Sequence, residues 1–122
     1  MASVVLLEDD SDLCELYASA LRLAGHQVHV AANSRGILNV LQAQQAQVLV
    51  TDLIMPGHEG IEGIFLARQK QGLRIIAISS NQEYLRLAEN LVDVCLHKPF
   101  PAQKLQQKVE EVLSRRVSAA DE

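Results

Sequence analysis

The stretch VVLLEDD, residues 4–10, runs four apolar residues directly into three acidic ones. A strand that ends in a cluster of carboxylates needs open water or a cation, because like charges packed side by side repel one another. The segment VLVTD, residues 48–52, has the same form and places Asp52 directly after a second apolar run. A single lysine, Lys98, follows a further apolar segment in the sequence LHKPF. The fold prediction starts from these three segments.

The composition is that of one cytoplasmic domain. The chain has 122 residues, 48% of them apolar and only 3% aromatic, so we expect a single aliphatic core. A net charge of −4 without a stripe of Lys and Arg argues against direct nucleic-acid binding. We expect no membrane contact, because no apolar run approaches the roughly 18 residues of a membrane span. Cys14 and Cys95 form no CxxC motif and indicate free thiols in a reducing compartment.

Apolar runs alternate with segments of helical periodicity along the whole chain. Continuous runs are typical of parallel strands covered on both faces, and an alternating run is typical of an edge strand. Three runs are continuous, Val4 to Leu7, Val48 to Val50 and Ile75 to Ile78. A fourth run, Val92 to Leu96, is broken by Asp93, and a fifth, Gln27 to Ala32, alternates. A helical segment follows each strand. This order predicts an α/β fold, (βα)5, with a five-stranded, parallel, doubly wound sheet.

Two local predictions concern the first helix and the edge strand. Ser11 or Asp12 can cap the start of the first helix, and Gly25 can end it. His26 and His29 flank Val28 on the edge strand, so we expect both at the surface.

Polar side chains follow four of the predicted strands. Glu8 and Asp9 end the first strand, Asp52 the third, Ser79 the fourth, and Lys98 the fifth. Ligands of open α/β sheets bind beyond the carboxyl ends of the strands. We therefore expect these five side chains to face one crevice.

These residue types together predict phosphoryl chemistry. Three crowded carboxylates cannot all stay ionised without a counter-charge, and a hard divalent cation such as Mg²⁺ supplies one through oxygen ligands. A lysine can hold an anion as a point charge, and a hydroxyl group can donate to the same anion. In such a site one carboxylate would act as the nucleophile and form an aspartyl phosphate.

Four segments, VVLLEDD, VLVTDLIMPGHEG, IIAISS and HKPF, give the chain a family resemblance. With them the chain resembles the receiver domains of bacterial two-component response regulators over about residues 3–115. The resemblance implies a flavodoxin-like, chemotaxis-receiver-like sheet with strand order 2-1-3-4-5. It also implies a receiver domain at residues 1–115, followed by a flexible tail or the start of a linker at residues 116–122.

The resemblance implies a role for each acidic residue of the predicted site. Asp52 takes the place of the phosphoacceptor and, with Asp9, would bind Mg²⁺ directly. Glu8 would bind the ion through water. The backbone carbonyl of Ile54 would be the third protein ligand.

The resemblance also implies how the phosphoryl group would be held. Ser79 takes the place of the hydroxyl residue that contacts the phosphoryl group, and Lys98 that of the phosphate-binding lysine. The peptide bond from Lys98 to Pro99 is usually cis in this family. Gly60 matches the glycine that closes the loop after Pro56.

The function that the resemblance implies is a phosphorylation-dependent signalling switch. A histidine kinase or phosphotransfer protein would donate the phosphoryl group to Asp52. An output partner or domain would bind the face formed by the fourth helix, the fifth strand and the fifth helix. Such a domain catalyses its own phosphotransfer and dephosphorylation and is not a turnover enzyme.

Departures from the family pattern, above all those at Leu91–Val92 and Cys95, leave an alternative open. Ser80 stands where Ala or Gly is usual, Leu91–Val92 replaces a Gly-Ala pair, and Cys95 holds the place of the aromatic switch residue. The alternative is a constitutive protein-interaction module of receiver fold with an altered switch face. A Mg²⁺-dependent phosphohydrolase is disfavoured, because it would want a second acid where Ile54 stands.

Overall fold

The computed structural model describes residues 2–55 and 58–115. Five strands form the main sheet: β1 Ser3–Leu7, β2 Gln27–Ala31, β3 Val48–Asp52, β4 Arg74–Ser79 and β5 Val94–His97. Five helices accompany them: α1 Ser11–Leu23, α2 Ile37–Ala43, α3 Gly60–Ala67, α4 Gln82–Ala88 and α5 Ala102–Ser114. A short antiparallel ladder, Ile54–Met55 with His58–Glu59, was not predicted.

The sheet has the predicted order, β2-β1-β3-β4-β5, and every neighbouring pair is parallel. The alternating segment forms an edge strand, β2, as expected. The central strand β3 pairs on both sides and is buried along its whole length. All five carboxyl ends therefore lie at one edge of the sheet.

Alternate residues of the strands build two apolar clusters, one on each face of the sheet. On one face, Val5, Leu7 and Leu49 pack against side chains of α2, α3 and α4. On the other, Leu6 and Val50 lie in a cluster with side chains of α1 and α5, among them Tyr17, Leu21, Leu105 and Val109. Because both faces are covered, polar groups on the central strands concentrate at the strand ends.

Several helix and strand boundaries differ from the prediction by one or two residues. Asp10, rather than Ser11 or Asp12, caps α1, and its side chain accepts a hydrogen bond from the backbone N–H of Leu13. Strand β5 begins at Val94 rather than Val92, and β4 extends over Arg74–Ser79 rather than Ile75 to Ile78.

The prediction that His26 lies at the surface is wrong. Its side chain is buried, with Nδ1 accepting a hydrogen bond from the backbone N–H of Ala2 at 3.1 Å. Nε2 lies 2.9 Å from the Glu110 carboxylate on α5. These contacts connect the start of β2 with the N-terminal segment and with α5. They could not be predicted from the neighbouring residues in the sequence. His29 is exposed, as predicted.

The two cysteines lie on opposite faces of the sheet, and both are free thiols. Among the helices in residues 2–55 and 58–115, none is long and apolar enough to cross a membrane. The predicted tail, residues 116–122, and Pro56 of the predicted loop lie outside the described residues.

Candidate functional site

The carboxyl edge of the sheet brings together the residues predicted from the four strand ends. Glu8 directly follows β1, Asp52 and Ser79 are the last residues of β3 and β4, and Lys98 directly follows β5. The parallel register aligns Asp52 with Ile78, one residue before Ser79. This alignment keeps the strand ends level, so their side chains meet above the sheet.

A single ammonium group bridges two carboxylates at this edge. Lys98 Nζ lies 2.7 Å from Glu8 Oε1 and 2.6 Å from Asp52 Oδ2. The Glu8 side chain is fully buried, that of Asp52 is 6% exposed and that of Lys98 is 15% exposed. The three side chains therefore form a buried ion triad with one positive and two acidic groups.

Three carboxylates lie close enough together to share one cation. Glu8, Asp9 and Asp52 each offer one oxygen, and these atoms all lie within 4.8 Å of one another. Asp9 is exposed, whereas the other two are buried, so the cluster opens to solvent on the side of Asp9. An all-oxygen donor set of this kind fits Mg²⁺. Asp52 Oδ1 accepts a hydrogen bond from the backbone N–H of Ile54 at 2.9 Å, while the ligand role of the Ile54 carbonyl stays a prediction.

Ser79 is fully buried and makes two separate hydrogen bonds. Its backbone carbonyl accepts from the backbone N–H of Lys98 at 2.8 Å, and its Oγ accepts from the backbone N–H of Asn81 at 3.0 Å. The peptide bond from Lys98 to Pro99 is cis, as the resemblance implied.

Burial and charge act against each other in this triad. Burial raises the pKa of Glu8 above its ordinary value of 4.5, although the hydrogen bond from Lys98 works in the opposite direction. For Lys98, burial lowers the pKa, but the hydrogen bonds and charges of Asp52 and Glu8 outweigh it and raise the pKa overall. The ammonium group is thus held in its charged form by the two acids.

Two features of the site were missed from sequence. Asn81 caps α4, its side chain accepting from the backbone N–H groups of Glu83 and Tyr84. The order Asn-Gln-Glu at residues 81–83 is a usual helix-start signal, so this cap was available to sequence reasoning. The second feature is an aromatic pair, Tyr17 with Phe100, which no local pattern indicates because 83 residues separate the two rings in sequence.

Replacing Lys98 with Met removes the ammonium group and leaves two buried carboxylates without their counter-charge. At pH 7 and without metal, we expect the free energy of unfolding to fall by about 3 kcal/mol. The matched control is Lys104→Met, an exposed lysine on α5, which should change it by no more than about 0.5 kcal/mol. Urea unfolding of the three proteins measures both values.

The loss of stability in Lys98→Met should depend on pH. A carboxyl whose folded pKa is raised contributes stability below its unfolded pKa and loses it as pH rises through the folded pKa. Without Lys98 the pKa of Glu8 rises further, so the variant's deficit in free energy of unfolding should be largest at neutral pH. It should shrink as the pH is lowered towards 4.5, the ordinary pKa of Glu8. A deficit that stays equal across this range would contradict the electrostatic explanation.

Comparisons with known proteins agree with this geometry. A family model described as the response regulator receiver domain matches residues 4–110. The chain is 29% identical over 124 residues to the transcriptional regulatory protein CpxR homolog of Haemophilus influenzae, covering 99% of this chain and 54% of that protein. The transcriptional regulatory protein AfsQ1 of Streptomyces coelicolor is 28% identical over 118 residues, covering 94% and 52%. The chain thus spans about half the length of these curated relatives.

A shorter relative and two solved structures match nearly end to end. The response regulator receiver protein CpdR of Brucella abortus is 29% identical over 125 residues, covering 93% of this chain and 98% of that protein. The response regulator TrrA of Thermotoga maritima, solved in complex with Mg²⁺-BeF, superposes with a TM-score of 0.82 at 24% identity, covering 92% and 99%. The chemotaxis response regulator CheY4 of Vibrio cholerae has a TM-score of 0.81 at 24% identity, covering 92% and 98%. The two structures share the fold, and the family model covers most of the sequence, so this chain belongs to the receiver domains of two-component response regulators.

Proposed function

We propose that this chain is a phosphorylation-dependent switch that accepts a phosphoryl group on Asp52 from the phosphohistidine of a kinase or phosphotransfer protein. The observation that carries the proposal is the contact of Lys98 Nζ with Asp52 Oδ2 at 2.6 Å, beside the cluster of three carboxylates. A buried acid with a lysine at one oxygen and a cation site at its side has the parts that phosphoryl transfer needs.

Asp52 is the proposed nucleophile because both of its carboxylate oxygens are oriented. The backbone N–H of Ile54 holds Oδ1, and Lys98 holds Oδ2. In the transfer, a carboxylate oxygen attacks phosphorus, the O–P bond forms, and the N–P bond of the donor breaks with its electron pair remaining on the imidazole nitrogen. Lys98 can then donate to a phosphoryl oxygen in place of the carboxylate oxygen that it held.

Glu8, Asp9 and Asp52, with the Ile54 carbonyl, are the proposed ligands of Mg²⁺. When bound, the ion supplies positive charge that neutralises the oxygens of the phosphoryl group. The carboxylates fit this role because each presents an oxygen to the same small region. The open side at Asp9 leaves the region accessible from solvent.

Ser79 is the proposed link between the site and α4. Its hydroxyl oxygen accepts a hydrogen bond from the backbone N–H of Asn81, and the Asn81 side chain caps a helix of only seven residues. A change of the Ser79 rotamer that carries Oγ to the phosphoryl group would move it away from that N–H and change the start of α4. The output partner or domain is proposed to bind the face formed by α4, β5 and α5, next to this helix.

A constitutive interaction module is the second candidate, and Cys95 is the observation that favours it. Cys95 Sγ lies 3.6 Å from the carbonyl oxygen of Leu85 on α4, and the side chain packs against the apolar cluster beneath the helix. A thiol in this place cannot swing between an inward and an outward position as a large ring does. The phosphorylation experiments below separate the two candidates.

The first prediction tests Asp52 as the nucleophile. With acetyl phosphate and Mg²⁺, intact-mass spectrometry should show the wild-type protein gaining the mass of one phosphoryl group, while Asp52→Asn gains none. Asp93→Asn is a matched control outside the site and should be labelled like the wild type. Equal labelling of Asp52→Asn would refute the assignment.

The second prediction compares two adjacent acids as metal ligands. Asp9→Asn should weaken Mg²⁺ binding on the order of tenfold or more, because it removes a carboxylate from the cluster. Asp10→Asn should leave the affinity nearly unchanged, since Asp10 caps α1 and Asn caps helices equally well. Titration of both variants measures the difference. A larger effect at Asp10 would mean that the proposed ligand assignment is shifted by one residue.

The third prediction concerns the route from the site to the output face. Structures with and without Mg²⁺ and beryllofluoride should differ at the Ser79 hydroxyl and at the start of α4, with no rotamer change at Cys95. A large reorientation of Cys95 with α4 unmoved would refute this route. No change at either place would favour the constitutive module.

A further inference from the structure

Two of the four aromatic side chains in this chain meet next to the ion triad. The rings of Tyr17 on α1 and Phe100 lie nearly parallel, with centroids 5.2 Å apart and an angle of 7° between their planes. Tyr17 is only 1% exposed, whereas the other two aromatic residues, Phe65 and Tyr84, are 55% and 40% exposed. The core is otherwise aliphatic, so this stacked pair stands alone among the described residues.

Phe100 belongs to the segment that carries Lys98, and Tyr17 contacts this segment from α1. Residues 98–101 connect β5 to α5, and Pro101 caps the start of that helix. On one side the backbone N–H of Lys98 is held by the carbonyl of Ser79. Two residues further on, Phe100 packs on Tyr17 and against the cluster of α1 and α5. The segment is thus anchored at both ends, and the second anchor is an aromatic stack.

The backbone of Lys98 must be placed accurately, because Nζ contacts two carboxylates at once, at 2.7 and 2.6 Å. A flexible four-carbon side chain does not supply that accuracy unless its backbone is fixed. Parallel rings at this separation attract each other beyond their apolar burial. The stack is therefore well suited to fix the backbone that presents the ammonium group.

We propose that Tyr17 is a positioning residue for Lys98, acting through its stack on Phe100. Its role in phosphoryl transfer rests on the function proposed above, whereas its role in placing the ammonium group does not. The ring carries this role, so Tyr17→Phe should retain it and Tyr17→Leu should lose it. Phe100→Leu removes the other ring and should have the same effect as Tyr17→Leu.

The test compares binding of an anion that contacts Lys98 with binding of a cation that does not. In Tyr17→Leu and in Phe100→Leu, affinity for beryllofluoride in saturating Mg²⁺ should fall about tenfold, and the double variant should lose no more than either single variant. Affinity for Mg²⁺ alone should not fall, because the carboxylates lie outside residues 98–101. Tyr17→Phe should bind both ligands like the wild type.

Val109→Ala is the control for loss of packing. Val109 is fully buried in the same apolar cluster, on α5. Its truncation should lower the stability of the protein while leaving beryllofluoride affinity unchanged. If Val109→Ala weakens the binding of beryllofluoride as much as Tyr17→Leu does, the effect is one of general packing and the proposal is overturned.

Crystal structures of the ligand-free proteins give a readout that does not depend on phosphorylation. In Tyr17→Leu or, if that variant does not fold, Phe100→Leu, the distance from Lys98 Nζ to Asp52 Oδ2 should lengthen beyond about 4 Å, the limit of an ion pair. In Tyr17→Phe it should stay at hydrogen-bond length. An unchanged contact in the leucine variant overturns the proposal. A wild-type protein that takes up neither a phosphoryl group nor beryllofluoride would refute the proposed function, and the distance comparison would still decide the role of Tyr17.

Discussion

Two acids at the carboxyl edge of the sheet, Glu8 and Asp52, share one buried counter-charge. Taking a carboxylate out of water costs several kcal/mol unless a partner of opposite charge and good hydrogen bonds replace the solvent. Lys98 is that partner for both acids, and burial raises the pKa of Glu8 in spite of it. For Glu8 the attraction of Lys98 does not fully offset the effect of burial, whereas for Lys98 the two acids more than offset it. A group that competes for the ammonium or for the carboxylates changes this balance directly.

The apolar sheet creates the conditions for that contact. Because alternate residues of β1 and β3 fill clusters on both faces, their charged residues are confined to the strand ends. Parallel pairing then brings every carboxyl end to the same edge. If β1 and β3 were antiparallel, Glu8 and Asp52 would lie at opposite ends of the strands. The site is a consequence of strand direction as much as of residue type.

Sequence reasoning predicted the elements that depend on local pattern and missed those that depend on tertiary contact. Continuous apolar runs predicted parallel strands, and the family resemblance implied their order. The contacts of Glu8, Asp52 and Lys98 follow from both. Asp10 was missed as a cap because three adjacent residues are all good capping types. His26 and the stacked pair of Tyr17 and Phe100 have partners far away in sequence, which no periodicity reveals.

One residue joins the charge balance of the site to the helix beside it. The Ser79 carbonyl holds the backbone of Lys98, and its hydroxyl group holds the backbone N–H of Asn81, which caps α4. A helix of seven residues has little intrinsic stability, so its cap and its packing decide its position. Coupling between sites requires an element whose arrangements are biased differently by a ligand. We propose the backbone at the start of α4 as that element, because the hydrogen bond that fixes it ends on the same residue that fixes Lys98.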